Sequence, residues 1–254
     1  MRVALGMLAL GCGFAALAHG PIAATLFAAL GGEARAFGGG ALLDLALAHL
    51  RLAATGALAG IALGVALGLL VTRAGGGAWR RPIDALAAAA QAVPPMVVVA
   101  LALPAFGFGA VPTVLALILY TLMPVLRGTI AAVETVPPDA RAAAEAIGLT
   151  PWQVLRQVDL PLAWPVLLPA LRVAVMLAVA TTAIGALAGA ATLGTPIVIG
   201  LRNQNELYIL QGAAATAAIA FLADGALLAV AAWRRRPDRS EPSIAMTQEG
   251  IPHD

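Results

Sequence analysis

RAAAEAIGLTPWQVLRQVDLPLAWP, residues 141–165, gathers Arg141, Glu145, Arg156 and Asp159 between two long apolar runs, in a 254-residue chain that is 61% hydrophobic and only 11% charged. Side chains able to do chemistry are scarce elsewhere. All 15 basic residues are arginine, so no G-x-x-x-x-G-K-[ST] phosphate loop can exist and the chain cannot hydrolyse ATP by that route. The serines are Ser240 and Ser243, the cysteine is Cys12, and the histidines are His19, His49 and His253. That set offers no disulfide, no zinc site and no nucleophile–base pair within one structured region. Enzyme activity, cofactors and nucleic-acid partners are therefore not expected. What remains is recognition chemistry, with guanidinium and carboxylate groups on a short connector. Two more charges, Arg172 and Asp224, lie inside apolar runs, where an unpaired charge costs several kcal/mol.

The elements that must position these groups are membrane helices. A bilayer core about 30 Å thick takes roughly 20 apolar residues per helical span. Six segments qualify: residues 3–30 with a break near Gly20-Pro21, 50–71, 84–105, 108–128, 162–190 and 209–233. Continuous apolar runs, without short alternating segments, exclude a barrel, so the expected fold is all-α and polytopic with about six spans. Residues 1–31 form an N-terminal span or signal anchor. A cleaved signal ending at Ala16-Leu17-Ala18 is the alternative, but apolar character resumes from Ile22 to Leu30, beyond what a signal needs. Arg172 lies ten residues after Leu162 and Asp224 nine before Trp233, so both fall about 15 Å from one boundary. They are expected to pair or to share a polar cavity. Snorkelling of Arg172 along its own helix is the competing reading.

Gly56, Gly60, Gly64 and Gly68 recur every fourth residue, a groove that admits a neighbouring backbone. Tight packing inside the subunit is the expectation, ahead of a dimer surface. Pro94, Pro95, Pro104, Pro112 and Pro124 break the middle spans, and carbonyls freed there must be covered or face water, so Pro94, Pro95 and Pro104 mark a candidate pathway. Residues 31–48 suit an external loop with a short interfacial helix, and Arg202 to Glu206 form a polar cluster on a second external segment. If the 141–165 stretch is cytoplasmic, twelve arginines fall on the inner side and three outside, as positive charge distributes in inner-membrane proteins. Residues 234–254 then read as a disordered cytoplasmic tail.

Within the charged stretch, the helix from about Pro138 is expected to stop at Gly148, and Thr150-Pro151 to start a second as N-cap and first-turn proline. Trp152, Val154, Leu155 and Val158 would form its apolar face, leaving Gln153, Arg156 and Gln157 polar. Residues 138–161 thus form a knob on the membrane surface.

Ala143, Ala144, Gly148, Val158, Leu160 and Pro161 stand at the spacing Glu-Ala-Ala, three residues, Gly, nine residues, Ile, any residue, Leu-Pro. This resembles the EAA loop of binding-protein-dependent ABC importer permeases. Ala142 replaces the family glutamate, and Glu145, three residues on, lies on nearly the same helix face. The resemblance implies a coupling helix held by a cytoplasmic ABC ATPase dimer through Arg141, Ala143, Ala144, Glu145, Gly148, Leu149, Thr150, Leu160 and Pro161. It also implies a periplasmic or lipid-tethered substrate-binding protein, and a homodimer or a heterodimer with a related permease, in the bacterial inner membrane with a cytoplasmic C-terminus.

HLRLAATGALAGIALGVALGLL, QAVPPMVVVALALPAFGFG, LILYTLMPVLRGT and LYILQGAAATAAIAFLADGALL extend the likeness over residues 41–233. They are similar to the osmoprotectant branch, which implies uptake of glycine betaine, choline, carnitine or a related amine. Another small solute, such as an amino acid or a sulfur-containing betaine, is the alternative within transport. A non-transporting membrane scaffold is the alternative outside it.

Overall fold

The computed structural model describes residues 1–29, 35–73 and 77–234, and within them the chain is helical. The predicted tail lies outside the described residues from position 235 onward. The helices are α1 (Arg2–Ala18), α2 (Gly20–Ala29), α3 (Gly39–Thr72), α4 (Gly77–Ala92), α5 (Pro95–Phe106) and α6 (Ala110–Glu134). After these come α7 (Pro138–Ala146), α8 (Pro151–Val154) continuing into a π turn, Leu155–Asp159, then α9 (Leu160–Thr182) and a 3₁₀ segment, Ala183–Ala188. The last two are α10 (Gly194–Asn203) and α11 (Glu206–Arg234). Four continuous stretches are long and apolar enough to cross a membrane: α3, α6, Pro151–Ala188 and Glu206–Ala232. The pair α1–α2, bent by 77° at His19, makes a fifth if counted as one broken span.

The glycine row of α3 determines the centre of the bundle. A Cβ at Gly56, Gly60, Gly64 or Gly68 would run into Leu117, Thr121, Val125 or Thr129 of α6, one after the other. Those partners are themselves spaced by four, so one ridge of α6 side chains fills the glycine groove and no α3 side chain stands between the two backbones. Residue numbers rise together along both helices, so α3 and α6 run parallel. The groove is thus packed within the subunit. A methyl added at Gly60 would overlap the Thr121 hydroxyl and lie 3.0 Å from the Ile118 carbonyl oxygen. Gly60→Ala is expected to cost about 1–3 kcal/mol. Thr121→Ala in the same chain should recover more than half of the lost melting temperature in detergent.

Parallel neighbours require the intervening chain to return across the membrane. The predicted span 84–105 does so in two pieces, α4 and α5, broken at the expected prolines. Arg80 of α4 pairs with Glu134, Ala87 packs among Met123, Leu126 and Ile130, and Val99 of α5 meets Ala116, an ordered antiparallel passage along α6. The break falls at Val93 and Pro94, because Pro94 and Pro95 supply no backbone N–H to continue α4. One correction concerns residues 31–48, where α3 already begins at Gly39, so the amphipathic segment belongs to the long helix.

Around this centre, α9 packs antiparallel to α6, with Gly128 against Ala170 and Ala132 and Val136 clustered with Ala163 and Leu167. Helix α1 lies antiparallel along α11: Gly11 abuts Leu222, Gly225 abuts Leu8, and the Phe14 and Phe221 rings stack 5.5 Å apart. Buried Gln211 of α11 donates to the Ala18 carbonyl (3.1 Å) and accepts from the Phe37 N–H (2.7 Å). Both halves of its amide are used to hold the bend that ends α1.

Candidate functional site

The surface knob is built by local chain chemistry. Helix α7 opens on Pro138 with Asp139 in its first turn, and ends in a Schellman arrangement: the Gly148 N–H donates to the Glu145 carbonyl (2.9 Å) and the Leu149 N–H to the Ala144 carbonyl (3.1 Å). Gly148 has φ of +85°, where a side chain is strained, so glycine is required for the turn. Two residues on, Gln153 Oε1 accepts from both the Thr150 N–H (2.8 Å) and the Thr150 hydroxyl (2.9 Å), half of a capping box at the start of α8. Of the predicted coupling residues, Ala144 is buried beneath the knob and Arg141, Leu149 and Leu160 are half-buried. Ala143, Glu145, Gly148, Thr150 and Pro161 are exposed.

The predicted apolar face of the second helix needs one correction. Val154 and Leu155 are buried, but Trp152 is 67% exposed. Trp152 lies about 200° around a helix from Val154, so the two do not share a face. Together with Ile147, 78% exposed, Trp152 flanks Gly148 with apolar surface that the chain itself leaves uncovered.

Beneath the knob lies a charge network. Asp159, 3% exposed, closes the π turn and accepts from Arg141 Nε at 2.8 Å, with Arg73 Nη2 at 3.7 Å. Arg141 Nη2 donates onward to the Val133 carbonyl at 2.7 Å, in the last turn of α6. Sequence reading noticed Asp159 but gave it no partner. The signal was a lone acid between Val158 and Leu160 in a run otherwise entering the membrane.

The two intramembrane charges are brought together. Arg172 Nε and Nη2 donate to Asp224 Oδ1 and Oδ2 at 2.6 and 2.8 Å, a bidentate pair joining α9 to α11. Asp224 is nearly enclosed, while the Arg172 side chain keeps 28% exposure.

At the break of the third crossing, Pro94 and Pro104 are exposed and Pro95 half-buried. Pro124 removes the N–H that would have bonded the Tyr120 carbonyl, and Gln91 Nε2 supplies a substitute at 3.1 Å. The Tyr120 hydroxyl in turn donates to the Val93 carbonyl at the end of α4. A kink and a break thus complete each other's hydrogen bonds. Neither Gln91 nor Tyr120 was singled out from sequence, although the spacing of four between Tyr120 and Pro124 was available. At the other end of the bundle, buried His49 accepts from the Leu193 N–H at Nδ1 (3.2 Å), leaving Nε2–H to donate to the Val179 carbonyl (3.0 Å). It is a structural tie with no free nitrogen. Among the described residues no group of three or more His, Cys, Asp or Glu side chains could hold a metal.

The described residues form a polytopic helical bundle that presents an exposed helix–glycine–helix knob at one end. Residues 43–236 match the family of binding-protein-dependent transport system inner membrane components, and the chain belongs to that family. It is similar to the osmoprotectant import permease protein OsmY of Salmonella typhimurium, 36% identical over 72% of this chain and 78% of that one. The glycine betaine/carnitine/choline transport system permease protein OpuCD of Bacillus subtilis is 35% identical over 73% of this chain and 81% of that one. Among solved structures, the MetNI methionine ABC transporter in an inward-facing conformation shares the fold, with a TM-score of 0.68 at 21% identity over 77% of this chain and 97% of that one. The chain is an ABC importer permease subunit, and ATP hydrolysis lies in a separate subunit.

Proposed function

We propose that this chain, as one of two permease copies, carries glycine betaine, choline, carnitine or a related quaternary amine inward from an external binding protein. The observation that carries the coupling half of this reading is the knob. Ile147 and Trp152 stand exposed on either side of Gly148, while Ala144, Val154 and Leu155 anchor them from below. Exposed aliphatic and aromatic side chains around a rigid turn suit a docking pocket on an ATPase. The arginine distribution, twelve inside against three outside, supports a cytoplasmic knob and C-terminus. The packing of α1 along α11, with Gln211 bonded to Ala18, supports an N-terminal span that stays in place.

The substrate half rests on relatives named for osmoprotectants, glycine betaine, carnitine and choline. Quaternary ammonium groups are held by aromatic cages, yet aromatics make up only 5% of this chain. The selective pocket therefore belongs to the binding protein, which would meet the permease at the exposed Arg202–Gln204 end of α10. The break at Pro94 and Pro95, beside Tyr120, is the proposed path. Fluorescence titration of the binding protein encoded beside this chain, against glycine betaine, choline, carnitine, methionine and histidine, tests the substrate. Saturable binding of a quaternary amine is expected. Binding of an amino acid alone would replace the substrate and keep the importer.

A further inference from the structure

We propose that Asp159 is the positioning residue that makes the knob and the membrane helices α3 and α6 move as one body, so that displacement of the knob becomes displacement of the pathway. This rests on the reading of the knob as the ATPase-docking surface. Asp159 itself has no part in that surface, because its side chain is only 4% exposed. It lies where four elements meet. Its own backbone closes the π turn, in which the Leu160 N–H reaches back to the Leu155 carbonyl. Its carboxylate holds Arg141 of α7 at 2.8 Å and draws Arg73, which terminates α3, to 3.7 Å. Arg141 then bonds the Val133 carbonyl of α6 at 2.7 Å. The same carbonyl accepts from the Val136 N–H at 3.3 Å, so the guanidinium adds a second, charge-assisted bond at the end of α6.

The geometry separates linkage from stability. Arg141 and Arg73 keep 33% and 38% of their side-chain surface exposed, so a guanidinium released from Asp159 can be hydrated where it stands. Along the chain the knob is joined to α6 through Thr135 to Pro137 and to α9 through the π turn, and it reaches Arg73 of α3 through the Asp159 carboxylate. Hydrogen-bond and ion-pair networks of this kind can carry coupling between packed elements. The π turn supplies the geometry: its wider winding carries Asp159 to the buried side while Arg156 and Gln157 stay exposed.

The test is uptake per ATP hydrolysed in proteoliposomes holding this permease, its ATPase and its binding protein. Asp159→Asn should still co-purify with the ATPase, with uptake per ATP reduced about ten-fold. Asp159→Glu, which keeps the charge, should restore most of the loss. Arg73→Gln, a substitution at the surface that leaves Arg141 in place, should give a smaller loss in the same ratio. Unchanged uptake per ATP in both Asp159→Asn and Arg73→Gln would overturn the inference. So would loss of ATPase co-purification in Asp159→Asn, which would make Asp159 a docking or folding residue. A wild-type complex whose ATPase ignores the loaded binding protein would overturn the importer reading, and this inference with it.

Discussion

Gly148→Asp is expected to reduce ATP-driven uptake about 100-fold while the permease still folds, the effect of roughly 3 kcal/mol lost at a docking centre. Two causes combine. At φ of +85° a side-chain-bearing residue is strained by roughly 1–2 kcal/mol. Nothing in the chain lies within 4 Å of a Cβ built there, so the isolated subunit has room for the side chain. In the proposed docking, the ATPase approaches through that open space, between Ile147 and Trp152. The aspartate would therefore place a charge against a surface built for apolar contact. Gly148→Asn, which tolerates the left-handed backbone and carries no charge, should lose less. Uptake equal to wild type in Gly148→Asp would remove the turn from the docking surface.

Asp224→Ala is expected to lower the amount of folded permease in the membrane more than any other single change discussed. It leaves Arg172 without its bidentate partner between α9 and α11. Breaking a buried ion pair from one side costs about 3–5 kcal/mol, and the lower figure applies because Arg172 keeps 28% exposure and can reach toward water. The double exchange Arg172→Asp with Asp224→Arg should recover part of the yield, as should Arg172→Met with Asp224→Leu, which buries no charge at all. Recovery in the apolar double variant, with normal uptake, would identify the pair as a structural clamp. Recovery without uptake would give it a part in transport. Wild-type yield in Asp224→Ala would show that the pair contributes nothing to assembly.

The turn at Gly148 was legible because its cause is local: a glycine after a helical run, then threonine and proline at the next start. The four glycines of α3 were legible as a groove, but not as one filled by Leu117, Thr121, Val125 and Thr129, since spacing carries no information about the facing helix. The third crossing illustrates the same limit. Pro94 and Pro95 announced a break in the apolar run from 84 to 105, but only the facing Tyr120 and Pro124 show how the two half-helices are pinned in mid-passage. Trp152 was misplaced because residues two apart on an α-helix point about 200° from one another, so Trp152 does not share the buried side of Val154. Asp159 could be seen but not partnered. Arg73, Val133 and Arg141 converge on it from three separate parts of the chain, a juxtaposition that only the folded bundle makes.

As proposed, this subunit imports a quaternary amine when driven by an ATPase and loaded by a binding protein. Uptake of radiolabelled glycine betaine into proteoliposomes that contain all three proteins and enclose ATP tests it most directly. Accumulation that requires ATP, the binding protein and an intact Gly148 is the expected result. Failure of the complex to accumulate glycine betaine, choline or carnitine, with ATP hydrolysis unaffected by the binding protein and its ligand, would contradict it.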